Sequence, residues 1–291
     1  MNLIDLNDIT IEIIKTLFYY AKLYKNVNYH IPTTKYILGN AFFEPSTRTS
    51  LSFECAMKKL NGDVINFNKA HSSIKKGESD YDTIKTLEMY SDLLVIRHPD
   101  ANFIHSLKDK VNIPIINGGN GAGEHPTQAL LDLFTIHEHF DIFNTKRRIK
   151  ILFVGDIKHS RTIHSLYYLL HMFDFFDIYF FCYPYCQNEY VNEENTVDDF
   201  SNIDKFDVVY CTRLQKERSD NIDIDIKRYI LTKNIVSNMK HETIILHPLP
   251  RNEEIHTNLD SNKRACYFEQ MKNGVYVRMA VIYYLLNLNE L

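Results

Sequence analysis

The sequence predicts two doubly wound, parallel-sheet α/β domains with the active site in the cleft between them. Three observations lead there. Apolar runs of strand length alternate with segments whose apolar residues recur at helical spacing. The alternation starts again after the basic hinge Lys146-Arg147-Arg148. Polar clusters follow one predicted strand after another, at the carboxyl ends where open parallel sheets bind ligands.

In chain order, residues 5–27 read as a helix with Leu6, Ile9, Ile13, Leu17 and Ala21 on one face and Thr10 as an internal cap. Tyr36–Phe43 is a mostly apolar strand, as expected for a central parallel one. Pro45 stops it, having no N–H for the ladder. Leu51, Phe53, Met57 and Leu60 then mark a helix from about 47 to 61, closed by Asn61-Gly62. A short strand spans 63–67, a polar loop 71–79 and a helix 81–90. The strand Leu93–Ile96 runs into Arg97-His98-Pro99. A helix over 101–109, a strand over 114–117, a flexible glycine loop over 118–123 and an amphipathic helix from Thr127 to about Phe140 complete the first half.

In the second half, Ile149–Val154 is a strand leading into Gly155-Asp156, and a helix covers 161–173. Strands follow at 178–182, at 206–210 before Cys211-Thr212-Arg213, and at 242–246 before His247-Pro248-Leu249-Pro250-Arg251. An apolar helix spans Tyr276–Leu288, with Tyr283–Leu286 as core. The domains are drawn at 1–143 and 144–275, with 276–291 packing back on the first.

Of 291 residues, 45% are apolar and 24% charged, a globular composition, and the net charge of −4 gives no electrostatic case for nucleic acid. The amino-terminal residues lack a basic signal region and no apolar run approaches a membrane span, so a cytoplasmic protein is expected. Five cysteines without a C-x-x-C pair read as buried reduced thiols. Cys182 and Cys186 offer half a metal site with no second ligand pair nearby. Isolated histidines such as His30, His71 and His164 read as surface or packing residues.

The junction Phe42-Phe43-Glu44-Pro45-Ser46-Thr47-Arg48-Thr49-Ser50 carries the chemistry forward. Unpaired N–H groups and the positive dipole end of a helix start favour an anion, and a guanidinium fork matches phosphate. A Ser/Thr cap beside a solvated arginine is the plain alternative. Arg48, Arg97, Arg161 and Arg213, with Lys76, would make a cationic cleft in a slightly acidic protein, so the substrates should be anionic. Arg161 and Arg213 suit carboxylates. There is no P-loop, no dinucleotide fingerprint, no G-x-S-x-G and no H-E-x-x-H. What remains is a site that polarises and positions, suited to transfer of an activated acyl group with phosphate leaving.

These residues resemble a known family. Phe43-Glu44-x-Ser46-Thr47-Arg48-Thr49, Arg97-His98-Pro99, His125-Pro126-Thr127-Gln128-Ala129-Leu130-Leu131-Asp132, Gly155-Asp156 and His247–Arg251 occur in the order of the aspartate/ornithine carbamoyltransferase superfamily. His125-Pro126-Thr127-Gln128, His247-Pro248-Leu249-Pro250-Arg251, the loop 72–78 and the run 212–218 look like its aspartate branch. The resemblance implies transfer of a carbamoyl group from carbamoyl phosphate to the α-amine of L-aspartate, a step of pyrimidine biosynthesis. It implies that Ser46, Thr47, Arg48 and Thr49 hold the phosphate and that Arg97 bridges phosphate and carbonyl oxygens. Thr49 and His125 would donate to the carbonyl oxygen. Gln128 and the backbone carbonyls of Leu249 and Pro250 would hold the carbamoyl amino group, with His247 supporting those two residues.

Arg161, Arg213 and Gln215 would bind aspartate carboxylates, and Lys76 both substrates. Ser73 (or its neighbour Ser72) and Lys76 would come from the next subunit of a homotrimer, to which regulatory chains could bind. Glu44 with Arg161 and Arg218 would form an interdomain latch. No metal or organic cofactor is implied, and no nucleic acid or membrane partner. A carbamoyltransferase for another amino acid such as ornithine, or a non-catalytic paralogue, are the alternatives. Two arginines and a lysine around the second substrate favour aspartate over a basic one.

Overall fold

The structure, a computed structural model, describes residues 2–26, 35–69, 72–215 and 226–287. The chain forms two compact units, Met1–Leu131 with Lys272–Leu291, and Asp132–Met271. Each unit contains one parallel four-stranded sheet.

In the first unit the strands are β1 (Ile37–Phe42), β2 (Asp63–Asn68), β3 (Leu93–His98) and β4 (Ile115–Asn120), in the order β2-β1-β3-β4. Leu38, Ala41, Leu93–Ile96, Ile115 and Ile116 are buried, which explains the unbroken apolar runs. Helices α1 (Ile11–Lys25), α2 (Thr47–Lys59) and α3 (Asp80–Glu88) belong to this unit, as does the start of α4 (Pro126–Phe140). The chain leaves β1 for β2 on one side and returns to β3 on the other. The topological switch point therefore lies between β1 and β3, where Phe42 stands opposite Arg97.

The second unit repeats the plan with β5 (Ile149–Gly155), β6 (Phe176–Cys182), β7 (Val208–Cys211) and β8 (Ile244–Leu246), ordered β6-β5-β7-β8. Its switch point is between β5 and β7, with Val154 opposite Cys211. Helices α5 (Arg161–Leu170) and α6 (Lys233–Ser237) lie within it, and α7 (Tyr267–Leu286) begins there and continues into the first unit.

Several expectations are corrected. Residues 5–27 are not one helix: a 3-10 turn at Leu6–Asp8 is followed by α1, whose cap Thr10 accepts from Ile13 N at 3.3 Å. The buried face is Ile14, Leu17, Phe18, Ala21 and Tyr24, so Ile13 is not its centre. The span 101–109 holds only turns and the 3-10 piece His105–Leu107, and Asp100 Oδ1 accepts from Asn102 N at 2.9 Å in a local turn. Gly118 and Gly119 are not loop but strand β4. The turn after them is tied down by Asn120, which bonds Ala101 O at 3.0 Å and Glu124 N at 2.6 Å. Helix α7 starts at Tyr267, well before Tyr276, despite Gly274 inside it; a Cβ at Gly274 would lie 2.5 Å from Arg278 Nη1 and 3.0 Å from Leu131. Of Tyr283–Leu286 only Leu285 is buried. Helix α6 was not expected. Asn61 closes α2 in the left-handed conformation, φ 63°.

All five cysteines are free thiols; four are buried and Cys55 is half-buried. Burial pushes the Cys182 and Cys186 thiols up to about 12. Among the described residues no helix is long and apolar enough to cross a membrane.

Candidate functional site

The first unit gathers one half of the predicted residues at its switch point. Ser46 sits at the cap position of α2 with extended backbone, φ −157° and ψ 99°, yet its hydroxyl makes no capping bond. Of the plain alternative, the capping bond is absent and the exposed arginine is present. The Ser46 hydroxyl and the first-turn N–H groups of α2 are not tied to each other, at the positive end of the helix. Thr47 and Arg48 are exposed on that turn, while Thr49 points inward.

Thr49 Oγ1 lies 3.3 Å from His125 Nε2, and both residues are buried. His125 precedes Pro126 at the first position of α4, and its carbonyl accepts from Gln128 N at 3.0 Å and Ala129 N at 3.1 Å. Its histidine is thus fixed by the helix start. Gln128 is half-buried one turn further on. Just before this motif, Glu124 accepts from Leu6 N at 2.8 Å, and its burial raises the carboxyl pKa.

Arg97, at the end of β3, donates from Nε to Glu44 Oε1 at 2.7 Å, and its Nη1 lies 3.4 Å from Gly118 O. Phe43 N bonds Arg97 O at 2.8 Å, so the ladder itself sets the approach of the two loops. Next to Arg97, His98 Nδ1 accepts from Asp100 N at 3.0 Å, so its Nε2–H donates to Asp80 Oδ2 at 3.0 Å. That bond ties the end of β3 to the first turn of α3. Lys76 is exposed on the 3-10 turn Ser73–Lys76. Arg218 of the expected latch falls outside the described residues.

In the second unit, Asp156, fully buried at the end of β5, orders the loop that carries Gln215. Gly155 makes the turn at φ 118°, where a Cβ would lie 2.3 Å from Thr212 O. Asp156 Oδ1 accepts from His159 N at 3.1 Å and faces His159 Nδ1 at 3.0 Å; Oδ2 accepts from Gln215 N at 3.1 Å. Gln215 Nε2 donates to His159 O at 2.8 Å. One carboxylate therefore orders both the loop before α5 and the loop after β7. Arg161 is the first residue of α5, and Arg213 directs Nη1 to Leu214 O at 3.2 Å; both are half-buried.

After β8, His247 Nδ1 accepts from Leu249 N at 2.8 Å, and its Nε2–H donates to Glu254 Oε1 at 2.8 Å. Burial works to raise the Glu254 pKa, but the histidine and backbone donors hold it below the ordinary value. Leu249, at φ 55°, precedes a cis peptide bond to Pro250. A buried polar chain reaches this turn: Tyr210 OH donates to Asp132 Oδ2 at 2.8 Å, Gln270 Nε2 to Asp132 Oδ1 at 2.6 Å, and His247 N to Gln270 Oε1 at 2.8 Å. Arg251 grips Asp260 with both guanidinium nitrogens, one bond at 2.7 Å, and lies over the Tyr267 ring at 5.2 Å.

Sequence reasoning did not single out the organising roles of Asp156 and Asp132. Both stand in motifs that were recognised, but their partners are distant in sequence. Chemically, the first unit offers hydroxyl, imidazole and guanidinium donors at a helix start, and the second offers two arginines and a glutamine on loops set by one carboxylate. Such groups bind and polarise anionic or carbonyl-bearing substrates.

Residues 1–138 match the family described as the carbamoyl-P binding domain of aspartate/ornithine carbamoyltransferase, and residues 147–285 its Asp/Orn binding domain. The aspartate carbamoyltransferase catalytic subunit of Alkaliphilus oremlandii is 43% identical over 267 residues, covering 86% of this chain and 79% of that protein. Among solved structures, aspartate transcarbamoylase from Trypanosoma cruzi in complex with N-(phosphonacetyl)-L-aspartic acid superimposes with a TM-score of 0.88 at 34% identity, over 98% of this chain and 95% of that one. The catalytic subunit of M. jannaschii aspartate transcarbamoylase gives 0.87 at 36% identity, over 99% of each chain.

Proposed function

The chain belongs to the aspartate/ornithine carbamoyltransferase family, and on that premise we propose that it transfers the carbamoyl group of carbamoyl phosphate to the α-amine of L-aspartate, giving N-carbamoyl-L-aspartate and phosphate. The observation that carries this reading is the buried Thr49–His125 contact at 3.3 Å beside the uncapped start of α2. A hydroxyl and an imidazole beside a helix start support a reading in which both act on a carbonyl oxygen next to a bound phosphate.

In this reading Ser46, Thr47, Arg48 and Thr49 hold the phosphate, and Arg97, oriented by Glu44, bridges it to the carbonyl oxygen. The neutral amine of aspartate attacks the carbamoyl carbon. A C–N bond forms, the carbonyl π pair moves to oxygen, and Thr49, Arg97 and His125 stabilise the oxyanion. Collapse breaks the C–O bond to phosphate, which leaves with the proton of the amine. Gln128 and the carbonyls of Leu249 and Pro250 hold the carbamoyl amino group. Arg161, Arg213 and Gln215 take the aspartate carboxylates, with Gln215 positioned by Asp156.

In this reading the carbamoyl phosphate domain is 1–143 with 276–291 and the aspartate domain 144–275, while the compact units divide at 131/132 and 271/272. The active unit is a homotrimer in which Ser73 and Lys76 enter the neighbouring site. The exposure of Lys76 supports that arrangement. Assay of the purified chain with carbamoyl phosphate and either aspartate or ornithine tests the reaction: turnover with aspartate alone is expected, and none with aspartate overturns it. Light scattering tests the trimer.

A further inference from the structure

Within the second unit, the end of α4 and the beginning of α7 bring three different ligand types together. His139 is in the last turn of α4. Cys266 caps α7, its carbonyl accepting from Gln270 N at 2.8 Å, and Glu269 stands in the first turn. One ligand atom from each side chain lies within 4.8 Å of the other two, and His139 Nε2 is 3.5 Å from Glu269 Oε2. None of the three is assigned to either substrate.

We propose that His139, Cys266 and Glu269 form a binding site for a transition-metal dication of the zinc class. Tetrahedral zinc with bonds of about 2.0–2.3 Å separates its ligand atoms by roughly 3.3–3.6 Å. The His139–Glu269 distance already matches, and the remaining separations need to close by only about an ångström within the 4.8 Å limit. Thiolate with imidazole selects zinc-like ions over magnesium or calcium, which prefer oxygen ligands. The α4 carboxyl end also favours a cation at this place. The side chains of His139 and Glu269 are 31% and 41% exposed, leaving an entry path and room for a water as fourth ligand.

A rival cluster, Asp156, His159 and Cys186, meets the same 4.8 Å limit. There both Asp156 oxygens already serve His159 and Gln215, so a metal would have to break those bonds. It serves as the internal control.

The test is a titration of the metal-stripped full chain with Co2+. A thiolate-to-cobalt charge-transfer band saturating at one ion per chain is expected, displaced by Zn2+ and indifferent to Mg2+. Zn2+ at saturation should raise Tm by about 5 °C. Cys266→Ser should abolish the band, and His139→Gln and Glu269→Gln should each weaken binding about tenfold or more. Circular dichroism and carbamoyl transfer report that each variant has folded. Cys186→Ser should leave the band in place. No band in the native chain, a band that survives Cys266→Ser, unchanged affinity in His139→Gln, or loss only in Cys186→Ser would overturn the proposal.

Discussion

Thr49 Oγ1 and His125 Nε2 approach to 3.3 Å in a buried setting, linking the first turn of α2 to the residue that opens α4. A hydroxyl and an imidazole supplied by two helix starts meet there. His125→Ala should therefore lower turnover by about 10²–10³-fold while leaving the affinity for carbamoyl phosphate nearly unchanged. Steady-state kinetics with equilibrium binding of carbamoyl phosphate checks this; full turnover in the variant would remove His125 from the oxyanion role.

The arginines should separate by substrate. Arg48→Ala should be almost inactive, because it removes the guanidinium at the anion end of α2. Arg213→Ala should raise KM for aspartate far more than KM for carbamoyl phosphate, since it belongs to the second unit's group. Varying each substrate at saturating levels of the other reads the difference.

Gly155 is a point of backbone constraint. A Cβ there would lie 2.3 Å from Thr212 O, and φ is 118°. Gly155→Ala should cost about 2–4 kcal/mol of stability, measured by urea unfolding, and should raise KM for aspartate by displacing Asp156 and with it Gln215.

Tyr210→Phe should cost about 1–3 kcal/mol, because it takes one donor from the fully buried Asp132. Urea unfolding measures the loss, and an unchanged midpoint would mean that Asp132 draws nothing from that bond.

Arg251 holds the Asp260 carboxyl down at about 2. A carboxyl depressed in the folded state adds stability that is complete above its unfolded pKa, about 4, and is lost as the pH falls towards 2. Arg251→Gln should therefore be less stable than the native chain at neutral pH, with the gap narrowing between pH 4 and pH 2. Melting curves across that range decide it. A gap independent of pH would place the contribution of Arg251 in its ring contacts instead.

The strands were legible because buried parallel strands are unbroken apolar runs, and the polar clusters at their ends stood out against them. Residues 101–109 misled because their apolar spacing is helical, while Asp100 and Asn102 form a local turn that spacing cannot reveal. Gly118-Gly119 read as a loop because glycine weakens a strand signal, yet these residues sit in a fully buried one. On the site side, Thr49, Arg97, His125, Arg161 and Arg213 were visible as residue types at strand ends. That Asp156 orders Gln215 is a contact across 59 positions, and that Asp132 supports Tyr210 one across 78; neither leaves a trace in local periodicity.

Four of the five thiols are buried, which leaves Cys55, in the helix that begins with Thr47-Arg48-Thr49, as the accessible one. A maleimide dye should attach there first, giving a singly labelled protein from the native sequence. Such a conjugate would carry its fluorophore on the helix proposed to hold the phosphate, so ligand titrations could be followed optically with no engineered cysteine.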